Sequence, residues 1–238
     1  MARVGARELR ASGPRSYAPA MPGSVFAALA STPTVRLDHL VLAMGAELSD
    51  DVEADWALAE LDRLGAELAP LAGGGAEAEA EACRLLLGET HGFEGDDEEY
   101  DDPDNSMLDL VLARRAGLPI LLSTVYIEVA RRAGIALDGV GLAGHFVVGH
   151  FGCDPPRLLD PYRRGQPVRS AVDPAQVRRW GTHEMTLRML NNLVGSYERR
   201  GDVARAIRAA ELRLLLPVSM SLRAELEIAL KCVRARLN

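Results

Sequence analysis

The segment PILLSTVYIEVARR, from Pro119 to Arg132, constrains the fold more than any other part of the chain. Pro119 suits the first turn of a helix and Gly134 suits the position just past the last turn, so a helix is predicted between them. Apolar residues lie on nearly every side of this helix, and a helix of that kind has to be covered from all directions. The segment therefore predicts a central helix with other layers packed around it.

Two β-strands are predicted directly after this helix. The segment GVGLAGHFVVGHF is rich in β-branched and aromatic residues and is bounded by glycines, which is typical of one strand. The segment PRLLDPY predicts a second strand that ends at Asp160, with GCDPP as the hairpin loop between them. His145 and His150 lie five residues apart on the first strand, so their side chains should face opposite sides of it.

The part of the chain before the central helix is predicted to be an acidic helical layer. Helical periodicity indicates two helices between Ser31 and Leu68, with Asp50 as the N-cap of the second and Glu53 completing a capping box. The segment AEAEAEACRLLLGET indicates a third helix. Asn105 or Ser106 is expected to cap a further helix that follows the acidic stretch HGFEGDDEEYDDPDNS.

The part of the chain after the hairpin is also predicted to be helical. The segment LRMLNNLVGSYERRGDVARAIRAAELRLLLP indicates two helices with a turn at Gly201–Asp202, and the spacing of their packing residues is typical of one tetratricopeptide-like unit. A third helix, SLRAELEIALKCVRARL, is expected to cover its open face. These patterns divide the chain into a flexible lead-in over residues 1–24, a core over 25–172 and a tetratricopeptide-like region over 173–238.

Charge and composition exclude several classes of partner. The net charge is -7, although the chain from Arg163 onward carries 15 basic and 7 acidic residues. Those arginines recur at helical spacing beside Ala and Leu, without the interleaved aromatic residues that stack on bases, so nucleic-acid binding is not expected. No apolar run approaches the roughly 20 residues of a membrane span, so no membrane association is expected either.

The cysteines and the N-terminal sequence predict a cytoplasmic protein without a bound metal or cofactor. Cys83, Cys153 and Cys232 lie far apart and fit no metal-ligand spacing, so they are expected to be reduced thiols. The first 24 residues lack the apolar core of a secretory signal. The acidic stretch also lacks the ligand spacing of a calcium loop, because Met107 or Asp101 would stand where glycine is needed.

Fifteen residues form one motif set: Gly92, Phe93, Gly95, Tyr100, Asn105, Ser106, Arg115, Gly117, Pro119, Gly144, His145, Phe146, Asp160, Pro161 and Gly165. This set resembles the SirB-type branch of the transglutaminase-like superfamily. Ala143 departs from the pattern, where proline is usual, and so does Tyr162, where phenylalanine is common. The resemblance implies an α+β fold in which a papain-like core packs the buried helix on a small antiparallel sheet, between a helical N-terminal layer and tetratricopeptide-like C-terminal helices.

The resemblance also implies a site. Active members of the superfamily use a cysteine at the start of the buried helix, a histidine on the following strand and an aspartate one strand further. The histidine and the aspartate correspond to His145 and Asp160. At the position of the cysteine, this chain has Pro119 and Ile120. Ser123 is the candidate nucleophile that remains, although a small residue that lets the helix pack is the favoured interpretation.

Three further residues are candidates for binding: Asn105, Arg115 and Tyr126. Arg115, which lies near the acidic stretch, is also expected to be structural, either paired with a carboxylate or bonded to the carbonyls at the end of the preceding helix.

Two functions follow from these residues. The missing thiol favours a pseudoenzyme, a non-catalytic and regulatory protein that binds an unidentified protein or peptide. The alternative is a cytosolic hydrolase or acyltransferase that acts on amide or ester bonds through His145, Asp160 and a serine nucleophile. A distance of about 3.2 Å or less between the Ser123 hydroxyl and a His145 nitrogen would favour the enzyme.

Overall fold

The computed structural model describes residues 24–168, 172 and 174–237. The lead-in predicted over residues 1–24 lies outside this part of the chain except for Ser24. The domain boundary predicted at residues 172–173 falls where the description is interrupted.

The N-terminal layer consists of helices, as predicted. Its members are α1 (Val25–Ala30), α2 (Leu37–Ala46), α3 (Ala54–Leu68) and α4 (Ala76–Cys83), which continues as a π-helical segment over Arg84–Thr90. The predicted capping box is wrong, because α3 begins at Ala54 and its N-cap residue Glu53 makes no side-chain cap. The backbone N–H of Glu53 instead donates to the Asp109 carboxylate at 3.2 Å, so a distant carboxylate replaces Asp50 at this helix end.

A short parallel pair of strands precedes the central helix. The elements in chain order are β1 (Glu94–Gly95), a 3-10 turn (Pro103–Ser106), α5 (Leu108–Arg114) and β2 (Ala116–Gly117), with β1 paired to β2. The prediction that Asn105 or Ser106 caps α5 is wrong, because both lie inside the 3-10 turn and Met107 directly precedes the helix.

The predicted central helix is confirmed as α6 (Pro119–Arg132). Pro119 is its first residue, and Gly134 closes its C-terminal end with a φ of +79°. Most of its side chains are buried, and it contacts the N-terminal layer through α3 and the sheet through β3 and β4. Burial from both sides explains why its sequence has no polar face.

The sheet has four antiparallel strands in the order β3-β4-β5-β6. Their bounds are β3 (Leu137–Leu142), β4 (His145–His150), β5 (Arg157–Asp160) and β6 (Gln166–Pro167). The predicted hairpin, which joins β4 to β5, is confirmed. The single strand predicted over GVGLAGHFVVGHF is wrong, because the chain reverses at Ala143–Gly144 and Leu142 pairs with His145. Gly144 has a φ of +72°, which glycine adopts at little steric cost, so it permits this turn.

The C-terminal helices are α7 (Thr182–Arg199), α8 (Val203–Arg213) and α9 (Met220–Arg234). The predicted turn between the first two is confirmed, since Gly201 has a φ of +73° and the Asp202 side chain accepts a hydrogen bond from the backbone of Arg205. Helix α8 packs on both α7 and α9, and α7 also contacts α2 and α6. Buried residues of all these helices join those of α6 and the sheet in one hydrophobic core.

The fold is therefore α+β, with the small antiparallel sheet packed on the central helix as predicted. In the described part of the chain, none of the helices is both long and apolar enough to cross a lipid bilayer.

Candidate functional site

His145 and Asp160 meet at one end of the β4–β5 pair. His145 is the first residue of β4 and Asp160 is the last residue of β5. The imidazole Nε2 lies 2.9 Å from Oδ2 of the carboxylate, and the two side chains are 31% and 11% exposed. The predicted contact between these side chains on adjacent strands is confirmed. Because Nε2 faces Asp160, Nδ1 is the ring nitrogen left for another group.

A tight turn fixes the orientation of the Asp160 carboxylate. Pro161 begins a 3-10 turn directly after β5, and the Oδ1 atom of Asp160 accepts a hydrogen bond from the backbone N–H of Tyr162 at 3.1 Å. The Asp160 carbonyl accepts a second bond from the backbone of Gly165 at 2.8 Å. The carboxylate therefore caps the turn with one oxygen and faces His145 with the other.

Two tyrosines extend this pair into an aromatic surface. The Tyr162 ring lies edge-to-face against His145, at 6.1 Å between centroids, and against Tyr100, at 6.3 Å. The Tyr162 hydroxyl donates to Asp97 Oδ1 at 2.7 Å, so the residue that departs from the family pattern connects the site to the acidic stretch. Burial and the neighbouring Asp97 carboxylate raise the pKa of Tyr162, which keeps the hydroxyl protonated.

Arg188 on α7 completes the surface, and sequence reasoning missed it. One guanidinium nitrogen, Nη2, donates to the backbone carbonyl of His145 at 2.9 Å. The guanidinium carbon also lies 5.3 Å from the Phe146 ring centroid and 5.5 Å from that of Trp180. No local motif marks Arg188, because only the packing of α7 on the sheet brings it to β4. Below, "the His145 surface" means His145, Asp160, Tyr162, Tyr100 and Arg188.

The structure does not bring Ser123 to His145. Ser123 is fully buried in α6, and its hydroxyl has no hydrogen-bond partner among the residues that the structure describes. The neighbouring Thr124 hydroxyl donates to the carbonyl of Ile120 at 2.9 Å. At the start of the helix, where the superfamily places its thiol, Pro119 and Ile120 are buried among apolar neighbours.

None of the three cysteines lies at the start of α6. Cys83 is buried in α4, where burial and the nearby Glu79 carboxylate raise the pKa of its thiol to about 12. Cys153 lies in the loop beyond the far end of β4, and that end of the strand is roughly 17 Å from His145 at the usual rise per residue. Cys232 is exposed on α9.

The three candidate binding residues are not part of the His145 surface, and each of them packs within the fold. The buried Asn105 amide donates to Asp96 at 3.2 Å and to the Glu99 carbonyl at 2.8 Å, and it accepts from Arg114 at 2.8 Å. It therefore organises the acidic stretch.

Arg115 and Tyr126 are held by neighbouring elements. Arg115 pairs with Glu60 of α3 and lies over the Phe93 ring at 4.6 Å, so the expected carboxylate partner is confirmed. Tyr126 is fully buried in α6 with an unpartnered hydroxyl, and burial raises its pKa.

His150 faces the opposite side of β4 from His145, as predicted. Its Nε2 lies 2.6 Å from Glu79 of α4, and its Nδ1 accepts a hydrogen bond from the backbone of Gly152 at 3.1 Å. The hydrogen bond from His150 lowers the pKa of Glu79. This second His–carboxylate pair fastens the hairpin loop to α4.

Side chains that commonly bind metal ions are spread over the fold. Within residues 24–168, 172 and 174–237, His, Cys, Asp and Glu side chains form no group of three or more that could hold a metal ion.

Comparison with known proteins places these residues in a family. The chain is 38% identical over 153 residues to a UPF0162 protein of Xylella fastidiosa, covering 57% of this chain and 54% of that protein. It is 31% identical over 170 residues to a UPF0162 protein of Pseudomonas aeruginosa, covering 65% and 62%. The chain thus spans about half the length of the curated relatives it matches first.

A shorter similarity reaches a eukaryotic protein. F-box only protein 21 of Mus musculus is 34% identical over 68 residues, which are 29% of this chain and 11% of that protein. No solved structure matches the chain. The family model described as transglutaminase-like superfamily matches residues 55–199, from α3 to the end of α7, and includes all five residues of the His145 surface. On that match, over more than half of its length, the chain belongs to the transglutaminase-like superfamily.

Proposed function

We propose that this protein is a non-catalytic member of the superfamily that binds a protein or peptide at the His145 surface. The proposal rests on a contrast between the His–Asp pair of the expected triad and the position where its nucleophile would lie. His145 is partly exposed and contacts the buried Asp160, whereas the start of α6 presents buried Pro119 and Ile120 where a nucleophile would be needed. A base without a nucleophile supports a surface retained for binding.

The composition of the His145 surface supports binding further. Tyr100 is half exposed, and its ring continues the edge-to-face series through Tyr162 to His145. Tyrosine contributes large contact area with few rotatable bonds and a hydroxyl for hydrogen bonding, so it is frequent where proteins bind one another.

The finer assignment is part of the same proposal. The motif residues from Gly92 to Gly165 support a SirB-type protein. The pair of helices α7 and α8, joined by the turn at Gly201, supports a tetratricopeptide-like region that begins near residue 173. Three free cysteines support a reducing, cytoplasmic location.

One observation favours a second function, a hydrolase or acyltransferase. The 2.9 Å contact between His145 and Asp160 is the geometry of a base and its orienting carboxylate, and such a base could activate a water molecule instead of a side chain. The isolation of the Ser123 hydroxyl argues against the serine nucleophile that this alternative would otherwise use.

Selection from a defined pool of random hexapeptides tests the binding proposal. We expect the immobilised full chain to enrich a subset of peptides, and both His145→Ala and Tyr162→Ala to lose that enrichment. Cys232→Ser, an exposed change on α9, is the matched control and should enrich the same peptides as the wild type. No enrichment by the wild type, or enrichment that survives both site variants, would contradict the proposal.

A further inference from the structure

Arg188 has no carboxylate partner within the described residues, a property that it shares there with Arg213 and Arg223. Most of the arginines around it are paired: Arg178 with Glu184, Arg179 with Asp138 and Arg199 with Asp101. Arg188 instead touches two aromatic rings and one backbone carbonyl. A guanidinium stays charged in proteins, so this position holds an uncompensated positive charge beside His145.

The guanidinium also has donors to spare. Arginine carries five N–H groups, and the His145 carbonyl takes one of the two on Nη2. The side edge of the guanidinium consists of the Nε hydrogen and one Nη2 hydrogen. Its end edge consists of one Nη1 hydrogen and the second Nη2 hydrogen. Whichever edge the carbonyl occupies, the second edge remains complete and has the geometry that matches a carboxylate with two parallel hydrogen bonds.

The surroundings hold this group in place and remove part of its solvent. The Phe146 and Trp180 rings stand perpendicular to each other at 5.4 Å, and both face the guanidinium. Burial lowers the pKa of Arg188, which means that its charge is less well solvated than that of a surface arginine. Both effects strengthen the attraction of an incoming anion, because the cation is preorganised and partly desolvated.

The nearby acidic stretch does not supply that anion. Asp97 is bound to Tyr162, Glu99 lies 3.4 Å from Arg200, and Glu94 lies 2.6 Å from Arg164. These carboxylates also disfavour a ligand with several negative charges. A single carboxylate satisfies Arg188 with the least repulsion from them.

We infer that Arg188 anchors a carboxylate of the bound peptide, so that the peptide lies against His145 with that carboxylate on the free edge of the guanidinium. This inference rests on the proposed function and names the ligand class of the same surface. The carboxylate has two sources in a peptide, the C-terminus and the side chain of Asp or Glu. The shared chemistry is a planar monoanion, and the test separates the sources.

Three hexapeptide pools provide the test with the full chain. The first has a free C-terminal carboxylate and no Asp or Glu, the second is the same pool with a C-terminal amide, and the third is amidated and contains one Glu. We expect the wild type to bind one of the two acidic pools roughly tenfold to a hundredfold more tightly than the neutral amide pool. Preference for the first pool indicates a chain terminus, and preference for the third indicates a side chain.

The variants separate an anchor from a purely structural arginine. Arg188→Gln should bring the ratio between the acidic and the neutral pools close to one, and Arg188→Lys should retain part of it. Arg178→Gln is the matched control, because Arg178 also lies over Trp180, at 5.0 Å, but is already paired with Glu184. It should leave the ratio unchanged. A structural role would change stability or overall affinity, whereas only an anchor changes this ratio.

The outcomes distinguish this inference from the function on which it rests. If His145→Ala abolishes binding but the wild type shows no preference for acidic pools, or Arg188→Gln keeps that preference, the carboxylate anchor is wrong and the binding surface stands. If no pool binds the wild type, both the anchor and the proposed function are wrong.

Discussion

At the scale of single residues, a substitution of Ser123 tests whether its hydroxyl makes a stabilising interaction. Its hydroxyl is buried without a partner, and such a group opposes folding. We therefore expect Ser123→Ala to leave the free energy of unfolding unchanged or to raise it by up to ~1 kcal/mol, measured by urea denaturation. Thr124→Val, which removes a hydroxyl that does make a hydrogen bond, should lower it. A clear loss of stability in Ser123→Ala would show that the hydroxyl is engaged after all.

Glu60 is the residue with the most definite consequence for pH. Hydrogen bonds from Arg63, and then from Arg115, outweigh the effect of burial and lower the pKa of Glu60 from 4.5 to about 2. Since the folded state holds this proton less tightly than the unfolded state, the stabilisation is present above pH 4.5 and is lost as the pH falls towards 2.

We expect Glu60→Gln to remove this contribution. The difference in unfolding free energy between pH 7 and pH 3 should become smaller in the variant than in the wild type. Glu98→Gln, at an exposed position in the acidic stretch, should leave that difference unchanged. Equal pH dependence in wild type and Glu60→Gln would contradict the assignment.

At the scale of elements, the turn that carries Asp160 is positioned by the π-helical segment Arg84–Thr90. A Cβ atom on Gly88 would stand 2.0 Å from the backbone oxygen of Arg164, so no side chain fits there. We expect Gly88→Ala to lower the free energy of unfolding by ~1–3 kcal/mol because the turn must move. Its displacement should also weaken peptide binding, since Asp160 begins that turn.

Gly195→Ala is a control for which the expected change in the free energy of unfolding has the opposite sign. Gly195 lies inside α7, and a Cβ there would first meet the flexible end of Arg199 at 3.1 Å. Gly195→Ala should raise the free energy of unfolding by up to ~1 kcal/mol, because alanine favours the helix. Denaturation curves of the two variants that fail to move in opposite directions would overturn the steric account of Gly88.

The elements also show which predictions the sequence allows. The central helix could be predicted because Pro119, Gly134 and an apolar run are local signals. The hairpin at Ala143–Gly144 was hidden, because strand composition continues through the turn and only the φ of Gly144 reveals the reversal. The capping of α3 was also hidden, since the carboxylate that meets Glu53 belongs to Asp109, 56 residues away in sequence.

At the scale of the whole molecule, a buried ionic network joins the N-terminal layer to the central helix. Arg132 of α6 lies 2.7 Å from Asp38 of α2 and 2.8 Å from Glu128, and both carboxylates are almost completely buried. It also contacts Asp62 of α3. None of these helices supplies a side chain to the His145 surface, so stability and binding should be separable.

Removal of Arg132 tests this separation. We expect Arg132→Ala to lower the free energy of unfolding by ~3–5 kcal/mol, because two buried carboxylates lose a cation that is itself almost completely buried. Arg131→Ala should have a smaller effect, since Arg131 contacts the same carboxylates but is 44% exposed. Peptide affinity of the folded protein should be unchanged in both. A loss of affinity that matches the loss of stability would contradict the separation.

The candidate site could be predicted only where its residues follow one another along the chain. His145 and Asp160 were found because their order and spacing suit adjacent strands. Arg188 and Tyr100 reach the site from α7 and from the acidic stretch, and no local pattern predicts where helices and loops pack. Tyr126 stays a candidate binding residue from the sequence, and its ring is fully buried.

The most direct test of the central claim is a turnover measurement on the full chain. The three hexapeptide pools are incubated with the protein and a primary amine, and mass spectrometry quantifies hydrolysis and amide exchange. We expect the wild type to form no more product than His145→Ala or buffer, even for the peptides that it binds. Product that the wild type forms and that disappears in His145→Ala would contradict the account and show that the His145 surface is an active site.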